Sequence, residues 1–136
     1  MFTCTLTFKG YYIDSESNPW RPEASGIYCV YAGTQTRKRL LYIGKSVDLS
    51  TRINHSREEY DEWLSMLNRG EKLYYTYAQC SEEILSDVEA ALIYKHKPDC
   101  NKQSTQSYNG KNAFIICSGK ISGLHSCMYV KNESAA

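Results

Sequence analysis

The sequence predicts an α+β fold, with a small, mainly antiparallel sheet flanked by helices. Three observations predict it: two β-rich runs joined by a polar connection (GIYCVYA and RLLYIG around GTQTRK), a later strand-like run (KLYYTYAQC), and helical patterns before and after that run. With 136 residues, 42% of them apolar, the chain can bury one core and is too short for two ordinary domains. A single domain over residues 1–136 is therefore expected.

The elements follow in order. FTCTLTF alternates Phe2, Cys4, Leu6 and Phe8 with threonines, the period of a strand with one buried face. DSESNPWRPEAS is a loop, rich in residues that interrupt regular structure. GIYCVYA and RLLYIG then form an antiparallel hairpin, with Tyr28 and Tyr42 near facing positions. Ser46 or Asp48 caps a helix from about Leu49 to Arg57, and EEYDEWLSMLNR gives a second helical stretch ending at Gly70. KLYYTYAQC is the third strand of this group. Ser81, Glu82 and Glu83 open the next helix, because a hydroxyl and two carboxylates suit its free N–H groups and positive end, and Pro98 limits it. Ile84, Leu85, Val88, Ala91 and Leu92 fall on an arc about 120° wide, a core stripe, and Glu89 lies at its edge. After the polar linker KQSTQSYNGKN, the runs AFIIC and HSCMYV around SGKISG make a closing hairpin.

Composition excludes several classes. No run approaches the ~20 apolar residues of a membrane helix, and MFTCTLTFKG lacks the order of a signal peptide, so no membrane partner and a cytoplasmic location are expected. Six cysteines without a C-x-x-C pair, and three histidines off zinc spacing, read as reduced, mostly buried thiols; Cys117 and Cys127 are placed to face each other across the last hairpin. SGKIS lacks the spacing of a phosphate loop. Net charge is only +1, yet Arg37, Lys38, Arg39, Lys45, Arg52 and Arg57 face a single acid, Asp48, between Thr34 and Arg57. Such a window is a candidate surface for nucleic acid, and the acids Glu58, Glu59, Asp61 and Glu62 follow it directly.

Some residues in these elements can do chemistry. Twelve tyrosines make several of them packing residues. A phenol beside a lysine, as Tyr28 or Tyr42 would be beside Lys45, can nonetheless accept or relay a proton. An arginine at position 52 can bind two phosphate oxygens and stabilise charge that grows in a transition state. Glu89 offers a hard oxygen ligand to Mg²⁺, which commonly takes one or two carboxylates and keeps several waters.

Taken in order, GIY at 26–28, YIGK at 42–45, Arg52 ten residues after Tyr42, and EAALIYKHKPDCN from Glu89 to Asn101 resemble the GIY-YIG nuclease family. The likeness covers residues 26–101, leaving 1–25 and 102–136 as β-rich extensions. It implies a three-stranded antiparallel sheet flanked by helices, here extended by an N-terminal strand and a C-terminal hairpin, and cleavage of DNA phosphodiester bonds with one divalent metal. Glu89 would bind Mg²⁺ or Mn²⁺, and Arg52 would hold the scissile phosphate. Tyr28, Tyr42 and Lys45 would surround the attacking water, with either tyrosine as general base, and Asn101 would support the site by hydrogen bonding. Many members place a histidine four residues after the arginine; here that position is Ser56, and His55 comes three residues after Arg52, still on the same helix face. With no zinc finger, helix-turn-helix or long basic tail attached, sequence specificity would fall to the extensions, a homodimer or a protein partner. A noncatalytic nucleic-acid-binding module on the same fold is the alternative, followed by a small structural partner in a larger complex.

Overall fold

The computed structural model describes residues 1–15, 22–51 and 58–133. Six strands and two helices appear in the order β1 (Phe2–Ile13), β2 (Gly26–Gly33), β3 (Lys38–Ser46), α1 (Glu58–Ser65), β4 (Lys72–Gln79), α2 (Glu82–His96), β5 (Ala113–Gly119) and β6 (Cys127–Val130), with a short 3-10 turn at Leu49–Thr51. The strands form one sheet in the order β3-β2-β4-β1-β5-β6. This is the expected α+β class, with an antiparallel β3-β2-β4 unit and both extensions joined to it.

The order of strands follows from which faces are apolar. β2 is buried along its whole length: Ile27, Cys29 and Tyr31 face one cluster, Tyr28, Val30 and Ala32 the other. A strand apolar on both sides must lie centrally under two cover layers, and β2 does, between β3 and β4. β1 alternates cleanly, with Cys4, Leu6 and Phe8 inward and Thr3, Thr5, Thr7 and Lys9 outward. It needs cover on one face only. It lies between β4, to which it runs antiparallel, and β5, to which it runs parallel.

α2 packs its stripe of Leu85, Val88, Ala91 and Leu92 into the cluster that holds Leu6, Phe8, Ile27, Cys29, Ile43 and Ile115. The Ser81 hydroxyl accepts from the Glu83 amide at its start, and Lys97 in a left-handed conformation closes it one residue before Pro98. The opposite cluster centres on Trp63 of α1, which is buried against Tyr42 and Tyr75 at ring-centroid distances of 5.3 and 6.4 Å. α1 ends at Ser65, four residues before the expected end. There the Met66 and Leu67 amides bond back to Trp63 and Leu64 in tight turns.

One sequence expectation is refined and one is corrected. Tyr28 pairs with Gly44 and Tyr42 with Val30, so the tyrosines share a face diagonally rather than directly opposite; a register shift after Val30 sets this offset. Cys127 pairs with Ile116, not Cys117. Neighbours along a strand alternate faces, so Cys117 points into the core and Cys127 to solvent, and they cannot meet. The other four cysteines are buried free thiols, as expected.

Candidate active site along the edge of strand three

Strand β3 forms one edge of the sheet, and the candidate residues gather along it. Tyr28 reaches it from the neighbouring strand: its ring lies over Gly44, where a Cβ would overlap the ring carbons. The glycine of YIG is thus the space into which the tyrosine of GIY packs. Gly26 has a similar reason, since a Cβ there would meet the Ala78 carbonyl of β4. Tyr28 is fully buried, whereas Tyr42, with its ring centroid 6.1 Å away, is half-buried and lines a cleft.

Across that edge, α2 presents Ser86 and Glu89, three residues apart and therefore on one helix face. The Lys45 ammonium donates to the Ser86 hydroxyl at 2.7 Å and stands 4.0 Å from the Glu89 carboxylate. The two side chains keep 40% and 20% of their exposure, and of the two Glu89 lines the cleft.

Asn101 closes the open edge. Its side-chain oxygen accepts from the Ile43 amide at 2.9 Å and its NH₂ donates to the Ile43 carbonyl at 2.9 Å, while the Cys100 amide donates to the Leu41 carbonyl. A carboxamide is one of few side chains that can both donate and accept in this way, so it satisfies the edge as another strand would. The position of Tyr42, between Leu41 and Ile43, is fixed by this clamp.

The cleft has a volume of about 570 Å³ and is lined chiefly by Tyr42, Glu59, Glu62, Glu89, Cys100 and Asn101. Glu59 and Glu62 were not singled out by sequence reasoning as site residues; their signal was the i, i+3 spacing on a helix directly after the basic window. Glu62 is bridged by Lys102 at 3.1 Å. Burial, followed by the charges of Glu62 and Asp99, pushes the Cys100 thiol up to about 11, so it stays protonated near neutral pH and is no nucleophile.

The other basic candidates lie elsewhere. Lys38 and Arg39 occupy the opposite end of β3 and Arg37 just precedes it, about 20–26 Å from Lys45 by strand rise. Arg37 is exposed in the β2–β3 connection. Lys38 donates to the Thr34 and Gln35 carbonyls and lies 4.6 Å from the ring centroids of both Tyr11 and Tyr74, and Arg39 is paired with Glu71 at 2.6 Å, which lowers the Glu71 carboxyl from its ordinary range. Lys38 and Arg39 thus serve the fold. Arg52, His55 and Arg57 lie outside the described residues.

The donor set can be tested against a metal. Among the described residues no cluster of three or more His, Cys, Asp or Glu side chains is arranged to hold an ion. Glu59, Glu62 and Glu89 all face the cleft but do not converge on one point, so a carboxylate such as Glu89 fits Mg²⁺ or Mn²⁺ with a largely aqueous shell and the set does not fit zinc, which requires several protein ligands.

Comparison with known proteins gives two relatives of one kind. UvrABC system protein C of Haloarcula marismortui is 31% identical over 81 residues, covering 59% of this chain. UvrABC system protein C of Desulfotalea psychrophila is 32% identical over 90 residues, covering 63%. The chain spans 14% of the length of each. No family model matches the chain, and no solved structure matches it significantly. No helix among the described residues is long and apolar enough to cross a membrane.

Proposed function

We propose that this chain is a GIY-YIG nuclease, a divalent-metal-dependent endonuclease hydrolysing DNA phosphodiester bonds in the cytoplasm, with residues 26–101 as the catalytic core of a single domain. The observation that carries the reading is the convergence on one sheet edge of Tyr28 over Gly44, Tyr42, the Lys45–Glu89 pair at 4.0 Å and the Asn101 clamp. These are the separated elements of the motif, in its order, apart from Arg52, which lies outside the described residues. The likeness to two UvrABC system proteins supports the coarser statement of nuclease chemistry.

In this reading Glu89 holds Mg²⁺ or Mn²⁺, which when bound supplies Lewis-acid stabilisation of phosphate charge. Tyr42, at the cleft wall, takes the proton of the attacking water, and Lys45, paired with Ser86 and Glu89, sets a positive charge on the α2 side of the strand. Tyr28, buried against Gly44, fixes the position of that wall. Arg52 binds the non-bridging phosphate oxygens. Glu59, Glu62 and Glu89 outweigh Lys102 in the cleft lining, which makes it a poor surface for plain phosphate binding. This favours a metal-assisted enzyme over a noncatalytic binding module.

The test is incubation of the purified chain with supercoiled plasmid in Mg²⁺, Mn²⁺ or chelator, beside Glu89→Ala. Metal-dependent nicking that disappears in the variant supports the reading. Chelator-resistant nicking, or equal nicking by the variant, overturns it.

A further inference from the structure

Among the described residues, only half of the sheet is covered on the Tyr28 side: α1 lies over β2, β3 and β4, while none of those residues covers that face of β1, β5 and β6. Register places Thr3, Phe114 and Tyr129 in one row, and Thr5, Ile116 and Cys127 in the next; Thr7 and Ser118 follow, their hydroxyls 3.4 Å apart. Tyr129 is 50% exposed and Ile116 37%, and Phe114 is half-buried beside Tyr129. Lys9 continues the face towards Tyr77, which stacks on Tyr12 with centroids 6.0 Å apart.

The charge of this region is one-sided. Residues 1–13 contain Lys9 and no acid, and residues 111–131 contain Lys111, Lys120 and Lys131 and no acid. The whole chain has 15 acids in 136 residues, about one in nine, so these 34 residues would carry about four at random. Exposed rings in register, hydroxyl rows and lysines without carboxylates are the composition that takes an unpaired nucleic-acid strand: bases stack on the rings and phosphates meet the cations. A second copy is a poorer occupant, because a two-fold interface would set these lysines against themselves with no acid to pair them.

We propose that the open face of β1, β5 and β6 is a platform for an unpaired DNA strand, with Tyr129 and Phe114 as stacking residues and Lys9 as a phosphate contact. This rests on the nuclease reading for its role and names the substrate class. β5 and β6 lie four and five strand positions from β3, about 19–24 Å at ~4.8 Å per strand. The favoured substrate then has an unpaired segment beginning on the order of five nucleotides from the cut, as in a splayed or flapped duplex.

The first measurement is fluorescence anisotropy of fluorescein-labelled dT15 in chelator with the full chain. Tyr129→Thr, which keeps the strand preference but removes the ring, is expected to weaken binding about 5- to 100-fold, and Tyr129→Phe to restore it. Lys9→Gln should flatten the dependence of log affinity on log salt by about 0.7. Phe114→Thr is a second ring deletion, and thermal melting checks that each variant folds. Absence of dT15 binding by the wild type, unchanged affinity in both folded ring variants, or a sedimenting dimer that Tyr129→Thr breaks without loss of dT15 binding would overturn the platform. The paired measurement is cutting of a splayed-arm duplex against a fully paired one. Loss of the splayed-arm preference in Tyr129→Thr, with cutting of the paired duplex retained, supports the proposal; a wild type without that preference overturns the substrate assignment. Ring-dependent dT15 binding by a protein that cuts nothing leaves the platform standing and removes the nuclease reading. Cutting with ring-independent binding does the reverse.

Discussion

Tyr28 and Gly44 show how the tripeptide GIY and its reversal YIG become a site. The sequence makes the glycines legible as places of close approach, but which atom approaches depends on pairing across strands, and only the register gives Tyr28 as the neighbour of Gly44. Gly44→Ala should therefore act as overpacking: about 1–3 kcal/mol of lost stability, read as a lower melting temperature, together with reduced nicking. The tyrosines separate by exposure. Tyr42→Phe, at the cleft wall, should lose nicking by about 10²-fold or more while still melting in one cooperative step, whereas Tyr28→Phe should retain more of it. Equal, normal nicking by both phenylalanine variants would remove tyrosine from proton transfer. The charges of Lys38 and Arg39 read as a DNA surface in sequence. Their tyrosine and glutamate partners are distant in the chain, so their structural use becomes visible only in three dimensions.

At the scale of elements, helix α2 was legible because its stripe, cap and stop residue agree, and the structure adds what holds its far end. The His96 Nδ1 lies 2.8 Å from the Leu92 carbonyl and its Nε2 accepts from the His125 backbone amide at 3.0 Å, tying α2 to the β5–β6 connection. That pattern needs a neutral ring, with its proton on Nδ1. Burial lowers the His96 pKa, and the charges of His125 and Lys95 add to this, against the bond to Leu92. A histidine whose folded pKa lies below its unfolded one stabilises fully above ordinary histidine titration, near pH 6.5, and loses that contribution as pH falls through 6.5 towards the folded value. Melting temperature should thus fall between pH 7.5 and 5.5, and His96→Gln should flatten that slope. Asn101 is the comparable device on β3. Asn101→Ala leaves the Ile43 amide and carbonyl without their side-chain partner and should cost about 1–3 kcal/mol, whereas Asn101→Asp keeps an acceptor and loses the donor.

At the scale of the whole molecule, the strands at both ends of the chain were legible but their places in the sheet were not. Alternation in FTCTLTF says that one face is buried; it carries no information on which strands will flank it. The structure puts β1 between β4 and β5, where Leu6 and Phe8 share a cluster with α2 residues Leu85, Val88 and Leu92. The segment that carries the motif, 26–101, thus lacks part of the core beneath its own helix. Burying a side chain such as Leu6 or Phe8 contributes roughly 1.5–3 kcal/mol, and typical domains hold only about 5–15 kcal/mol in total. Losing Cys4, Leu6, Phe8, Ala113 and Ile115 together should exceed that margin, and would also bare the edge of β4 for association with other chains. A fragment of residues 26–101 is accordingly expected to give no cooperative thermal transition by circular dichroism and to aggregate at micromolar concentration, while the full chain melts in one step. A fragment that melts cooperatively and nicks plasmid would show that the extensions are accessories to the core rather than part of it.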